Sequence, residues 1–249
     1  MFKFVGVGPV STLQIKKGEN MKKILPILIN ILIIPFTIFI GSYFLDDKKY
    51  YFVSLLIILE TLLSFFYSFE KRKAKLSEII TLAVLCALAV AGRIAFYMVP
   101  EVKPLLAITI ISGAIFGKES GFLVGSVAAF VSNIYFGQGP WTPWQMLATG
   151  ITGFFAGAIF KKSKFKESTI MLSTYGFLST LILYGGIMNF YSLVSYTNNI
   201  NWESYASTCL LGLSFDLTHA ISTFIFLILI SKPLISKLER VKVKYGMIE

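Results

Sequence analysis

Histidine occurs once in 249 residues, cysteine twice and carboxylate side chains only thirteen times. A single imidazole, His219, excludes metal chemistry of the His-Glu-x-x-His type, and no Gly-x-Ser-x-Gly elbow or Cys–His nucleophile pair is present. Cys86 and Cys209 lie in different apolar stretches without metal-ligand spacing, so neither a disulfide framework nor a zinc site is expected. The nearest approach to a phosphate-binding loop, Gly113-Ala-Ile-Phe-Gly117-Lys118-Glu119, is one residue short and places Glu where Ser or Thr would hold magnesium. These absences argue against an enzyme and predict no catalytic residue, no metal and no cofactor. Any ATP hydrolysis associated with this chain belongs to another subunit.

What the sequence does have is hydrocarbon. Apolar residues make up 55% and charged residues 14% of the chain, with a mean hydropathy of +0.74. A water-soluble core of this length cannot hide so much apolar surface, so the fold class is an all-α membrane protein. A membrane span needs about 20 apolar residues. Candidate spans fall near 24–45, 51–69, 78–99, 104–116, 120–136, 144–160, 169–191 and 208–231. The fourth and fifth are short and meet at Gly117-Lys118-Glu119-Ser120-Gly121, which predicts a tight hairpin.

The net charge of +10 is distributed in short clusters between apolar runs, a pattern that orients a chain in a bilayer and does not imply nucleic acid. Lys22, Lys23, Lys71, Arg72, Lys73, Lys75, Lys118, Lys161, Lys162, Lys164, Lys166 and the cations from Lys232 to Lys244 all fall on one side of the eight-span arrangement. The opposite loops hold only Lys48 and Lys49, beside Asp46 and Asp47, and Lys103. Both termini are therefore expected in the cytoplasm of a multi-pass bacterial plasma-membrane protein, with membrane lipid as its surroundings. Residues 1–20 differ from the rest. Lys16-Lys17-Gly18-Glu19-Asn20 ahead of Met21 can be encoded by a purine-rich stretch like a ribosome-binding site, so they read as a mis-assigned leader or a short cytoplasmic tail. The organisation expected is then 1–20, two helices and a basic linker over 21–74, and a six-helix core over 75–249.

Within the third span Ala83, Ala87, Ala91 and Ala95 recur every four residues, a ridge along one face of a helix. Small residues let helices approach closely in lipid, and the first expectation for such a ridge is packing against the chain's own helices. Gly113, Gly117, Gly121 and Gly125 repeat the spacing, and turning accounts for the middle two as well as an interface does.

Polar side chains inside spans are costly in hydrocarbon and face protein or water. Arg93, six residues before Val99, is expected roughly 9 Å below the outer end of its helix. Asn133 and Tyr135 close the fifth span, Gln145 opens the sixth, Asn189 ends the seventh, and Asp216 and His219 share a face of the eighth. Between the fifth and sixth spans, the uncharged turn Phe136-Gly-Gln-Gly-Pro-Trp-Thr-Pro-Trp-Gln-Met146 adds Gln138, Trp141 and Trp144. Trp is enriched at membrane surfaces in any bundle, so an interfacial anchor accounts for the tryptophans as readily as a binding element does. Arg93 with Asp216 reads equally as a buried ion pair. The convergence of five helices on one level nevertheless predicts a pocket facing outward. Glu60, mid-span in the second helix, has Asn30 and Arg93 as candidate partners, and a role outside both stands open beside them.

From about Lys75 onward, over six of the eight spans, the chain resembles the substrate-binding S components of energy-coupling factor (ECF) vitamin transporters. The resemblance is carried by the alanine ridge ending at Gly92-Arg93, by the run from Phe136 to Met146, and by Phe215-Asp216-Leu-Thr-His219 continuing through Leu238-Glu239-Arg240 to Lys244-Tyr245-Gly246. Within the family it looks most like the subgroup linked to cobalamin-precursor salvage, whose proposed cargo is α-ribazole or its benzimidazole base. The resemblance implies capture of a vitamin outside, then delivery through a transmembrane coupling subunit and two cytoplasmic ATPases. It implies that the alanine ridge meets the coupling subunit. The turn would form pocket or lid, with Trp141 and Trp144 stacking on a planar ring. Arg93, Asn133, Tyr135, Gln138, Gln145, Asn189, Asp216 and His219 would supply its polar contacts. The helices at 24–45 and 51–69 depart from the six-helix pattern. Two other classes stand beside this one: a self-sufficient secondary transporter, for which no inverted repeat is visible, and a non-catalytic membrane interaction protein.

Overall fold

A computed structural model describes residues 24–44, 50–72, 75–197 and 200–247. The leader at 1–20 and the charged residues Lys22, Lys23, Asp46, Asp47, Lys48, Lys49 and Lys73 lie outside the described residues. All regular structure among those described is helical. Eight long helices follow one another: α1 (24–44), α2 (Tyr50–Arg72), α3 (Leu76–Ala95), α4 (Leu105–Phe116), α5 (Lys118–Phe136), α6 (Trp141–Phe160), α7 (Thr169–Tyr196) and α8 (Trp202–Lys244). A short 3₁₀ turn, Lys164–Glu167, joins α6 to α7.

Five of these, α1, α2, α3, α7 and α8, are long and apolar enough to cross a membrane, and α4 is a shorter apolar helix. The helices α5 and α6 have the length but are diluted with Gly, Ser and Thr. They tolerate this because they form the protein-enclosed centre of the bundle, where Gly121, Gly125, Ser126, Thr149, Gly153 and Gly157 are all buried. A Cβ on Gly113 or Gly121 would run into the backbone carbonyl of Gly153, and one on Gly125 into that of Thr149. Glycine therefore brings α4, α5 and α6 into backbone contact, a source of helix association that works in lipid. Gly117 does the other job. At φ +107° it turns the chain between α4 and α5, a conformation that side-chain-bearing residues rarely adopt.

Several boundaries differ from the sequence expectation. The third helix stops at Ala95, so Arg93 stands in its last turn, not two turns below its end, where its charge complements the helix dipole. Only 137–140 between α5 and α6 are non-helical. Trp141, Thr142 and Pro143 already belong to α6, because the first helical turn has no use for the N–H that proline lacks. The last helix runs 43 residues and continues past Pro233. Hydropathy ends where its basic extension begins, but helical geometry does not.

The bundle has two hydrophobic cores. One gathers α3, α4, α5 and α8 around Leu85, Ile111, Val124 and Leu227. The other seats the hairpin of α1 and α2 on α5 and α6, with Ile34, Ile38, Val53 and Ile57 against Phe122, Leu147 and Phe154. We call the end holding the 96–104 and 137–140 loops the upper end.

Candidate functional site

Arg93 anchors the upper end. Its guanidinium donates to Ser132 Oγ at 2.5 Å and to Asn133 Oδ1 at 2.7 Å, and it lies over the Phe136 ring with 4.4 Å to the centroid. With Oδ1 occupied, the Asn133 amide points its Nδ2 the other way, donating to Thr142 Oγ1 at 3.1 Å and Gln145 Oε1 at 2.8 Å. Three helices, α3, α5 and α6, are thus stitched by one chain of charge-assisted and amide hydrogen bonds. The Gly139 N–H donates to Thr142 Oγ1 at 3.2 Å, tying the turn to the same chain.

The α3–α4 loop closes over this network. Glu101 has φ +57°, the left-handed region that non-glycine residues seldom occupy outside constrained sites. Its carboxylate lies 3.6 Å from Lys103 Nζ and 3.6 Å from His219 Nδ1. The Lys103 N–H donates to Ser222 Oγ at 3.1 Å, so the loop is pinned to α8 at two positions one turn apart. Burial, reinforced by the neighbouring charge of Arg93, draws the Lys103 ammonium below the ordinary lysine pKa, and Glu101 opposes that fall. His219 meets the edge of Tyr184 with centroids 4.8 Å apart. Tyr184 reaches this level from a wide π-turn at Thr180–Tyr184 within α7, a device that re-aims side chains at functional sites.

Arg93, Glu101, Lys103, Gln145, Thr149, Tyr184 and His219 enclose a polar cavity of about 50 Å³ floored by Leu105, Leu106 and Ala129. On the other side of the α6–α7 seam lies an open apolar groove of about 760 Å³, running from Trp144 and Ile151 to Phe190, Trp202 and Tyr205.

The residues expected at the site are distributed accordingly. Arg93, Gln145 and His219 line the cavity, with Asn133 immediately behind. Trp144 faces the groove, 5.9 Å from the Phe190 ring and 6.1 Å from that of Tyr191. Trp141 folds its indole against Gly139, where a Cβ would collide with the ring. Gln138 donates to the Phe130 carbonyl at 2.9 Å. Asn189 Nδ2 donates to Asp216 Oδ2 at 2.7 Å, so Asp216 pairs with α7 in place of the ion pair with Arg93. Neither Asn189 nor Asp216 lines the cavity. Tyr135 points away from it, 59% exposed, and packs on Tyr97. Glu60 bonds to neither Asn30 nor Arg93: its Oε1 accepts from Thr37 Oγ1 at 2.7 Å.

Glu101, Lys103, Thr149 and Tyr184 escaped the sequence reading. For the first two a signal existed: opposite charges bracketed by Pro100 and Pro104 in an upper loop otherwise nearly free of charge. Tyr184 had none, because its inward direction depends on the π-turn. The alanine ridge also has a definite placement. Ala83, Ala87, Ala91 and Ala95 are all exposed, flanked by exposed Leu76, Ile80, Val84 and Leu88. The ridge faces away from the chain's own bundle, contrary to the first expectation for it.

A helical multi-pass bundle whose polar side chains converge at one end, above a glycine-packed centre, has the build of a membrane-embedded solute-binding component. Residues 73–240 match the family described as ECF-type riboflavin transporter, S component, and the chain belongs to that family. The chain is also similar to a UPF0397 protein of Vibrio atlanticus (strain LGP32), 26% identical over 119 residues, covering 45% of this chain and 65% of that protein. A UPF0397 protein of Aliivibrio fischeri (strain MJ11) is 24% identical over 119 residues, 45% of this chain and 64% of its own length. The matched stretch thus spans less than two thirds of either relative. No solved structure gives a significant match.

Proposed function

We propose that this chain captures a small planar vitamin or vitamin precursor at its upper, outward-facing end and delivers it through a transmembrane coupling subunit driven by two ATPases. The observation that carries this reading is the convergence of Arg93, Glu101, Lys103, Gln145, Tyr184 and His219 on one cavity, with the aromatic groove of Trp144, Phe190 and Tyr205 one side-chain layer away. Hydrogen-bonding groups beside rigid aromatic faces suit a flat heteroaromatic ring bearing hydroxyls.

Riboflavin, the cargo in the family's description, and α-ribazole, suggested by the run from Phe136 to Met146, share that chemistry. Each joins a fused planar ring to a hydroxylated five-carbon unit. A cavity of about 50 Å³ is far below the ~300 Å³ at the small end of ligand pockets, so cargo binding involves movement of the Glu101–Lys103 loop or Tyr184. The exposed alanine ridge of α3 is the surface offered to the coupling subunit, and the cationic lower end faces the cytoplasm.

The test is a thermal-shift and fluorescence titration of the purified chain in detergent against riboflavin, α-ribazole, 5,6-dimethylbenzimidazole and thiamine. Saturable binding of a ligand with both ring and hydroxylated unit is expected. Absence of binding across the panel, or ATP-independent accumulation of solute by vesicles carrying this chain alone, would replace this reading with the secondary-transporter alternative or the interaction-protein one.

A further inference from the structure

The hairpin of α1 and α2 precedes the region matched to the family, 73–240, and holds buried polar groups that vitamin binding does not use. Glu60 stands ten residues into α2, about 15 Å along the helix and so near mid-depth in a hydrocarbon core about 30 Å thick. Its Oε1 accepts from Thr37, while its Oε2 is buried with no hydrogen-bond partner among the described residues. Asn30 on α1 is 1% exposed, and both its Nδ2 and its Oδ1 are buried and unpartnered among the described residues.

Two hydrogen bonds set the register of α1 against α2. Ser64 of α2 donates to the Pro26 carbonyl of α1 at 3.3 Å, and Thr37 of α1 donates to Glu60 of α2 at 2.7 Å. Asn30 stands seven residues before Thr37 on α1, about 10 Å along the helix axis, away from the Thr37–Glu60 contact. It sits within a second π-turn, Ile29–Ile33, shortly before Pro35, which has no N–H to continue the α-helical ladder. Wide turns of this kind recur where helices carry ligand contacts.

A carboxylate at mid-depth requires a positive partner, and the elements packed around Glu60 supply none among the described residues. α1 carries no Lys, Arg or His between 24 and 44, and α6 carries no charged side chain between Trp141 and Phe160. On α5, Lys118 and Glu119 face each other at 3.8 Å in the first turn. Arg93 is held by Ser132 and Asn133. The remaining titratable groups of the hairpin described with their side chains are phenols, Tyr43, Tyr50, Tyr51 and Tyr67.

We propose that Glu60, its carboxyl oriented by Thr37, is an intramembrane site for one proton, held between α1 and α2. Oε2, buried and without a partner among the described residues, is the atom that would carry the proton. The proton removes the uncompensated charge from the hydrocarbon core while Thr37 orients the carboxyl. This inference rests on the hairpin alone and does not depend on the identity of the cargo.

Infrared difference spectroscopy of the full chain in nanodiscs tests it, comparing acid with alkaline buffer and sodium chloride with choline chloride. Expected is a carboxyl band from one residue that responds to pH and is the same in sodium and in choline; a band that instead saturates with sodium would overturn the proposal. Glu60→Gln, an isostere of the neutral carboxyl, should abolish that band and keep the helical circular-dichroism signal. Thr37→Val, a milder change that covers the case of a misfolded Glu60→Gln, should shift the band's midpoint. A wild-type spectrum with no carboxyl response in any of these conditions would overturn the proposal. So would a response left unchanged by both substitutions.

Discussion

Arg93 of α3 and Asn133 of α5 are joined by a 2.7 Å hydrogen bond that commits the whole polar layer of the upper end. Because the guanidinium can only donate, it dictates which way the amide faces, and the amide in turn fixes Gln145 and Thr142 of α6. The Gln145 side chain that lines the cavity is therefore oriented from α3 through Asn133.

Arg93→Ala should leave the Ser132 hydroxyl and the Asn133 carbonyl oxygen without their buried donor. A buried group left unsatisfied costs ~1–3 kcal/mol, so the thermal unfolding midpoint in detergent should fall along with ligand affinity. Arg93→Lys should recover part of the stability but not the stacking on Phe136. A stable Arg93→Ala protein with full affinity would show that the layer is ornamental.

Trp144→Ala should weaken cargo binding by about 1–3 kcal/mol, on the scale of base stacking against aromatic side chains, with the fold retained. Isothermal titration in detergent measures it. Unchanged affinity would return Trp144 to the role of interfacial anchor.

Ala87→Trp and Ala91→Trp place a large ring on an exposed ridge. Binding by the isolated chain should be untouched, whereas uptake and co-purification with a coupling subunit should be lost. Loss of binding in the isolated chain would mean that the ridge acts through the chain's own packing.

The Lys103 pKa lies below its ordinary value, which gives stability a definite pH dependence. Between the depressed folded value and the ordinary value of about 10.4, the unfolded chain binds more protons than the folded one, so stability rises with pH across that window. Below the folded value this contribution is absent. Thermal unfolding of wild type relative to Lys103→Met should show the gain on the alkaline side. A parallel pH profile for the two proteins would contradict it.

Much of the architecture was legible beforehand. Eight apolar runs became eight helices among the described residues, and the tight turn expected at Gly117 is enforced by a φ that suits glycine. The level of the cavity was also legible, since Arg93, Gln145 and His219 are polar interruptions of apolar runs. Misjudged were the direction of Tyr135, the partner of Asp216 and the contribution of the 96–104 loop. Each depends on which neighbour a helix turns toward, and Tyr184 depends further on a π-turn that no residue pattern announces.

The sequence by itself determined that this chain is a helical membrane protein, how many helices its described residues form, and which polar side chains share a level. Only the tertiary structure decided that the alanine ridge looks outward while the glycines look inward, and that Glu101 and Lys103 complete the cavity. The reason lies in the solvent. In water an apolar stripe marks the buried face of a helix, but in lipid apolar side chains are equally at ease against hydrocarbon and against protein. Hydropathy then reports immersion without reporting facing. Facing was set by the close approach of glycine backbones and by the hydrogen-bonding requirements of a few polar groups, which become visible only when the helices are placed beside one another.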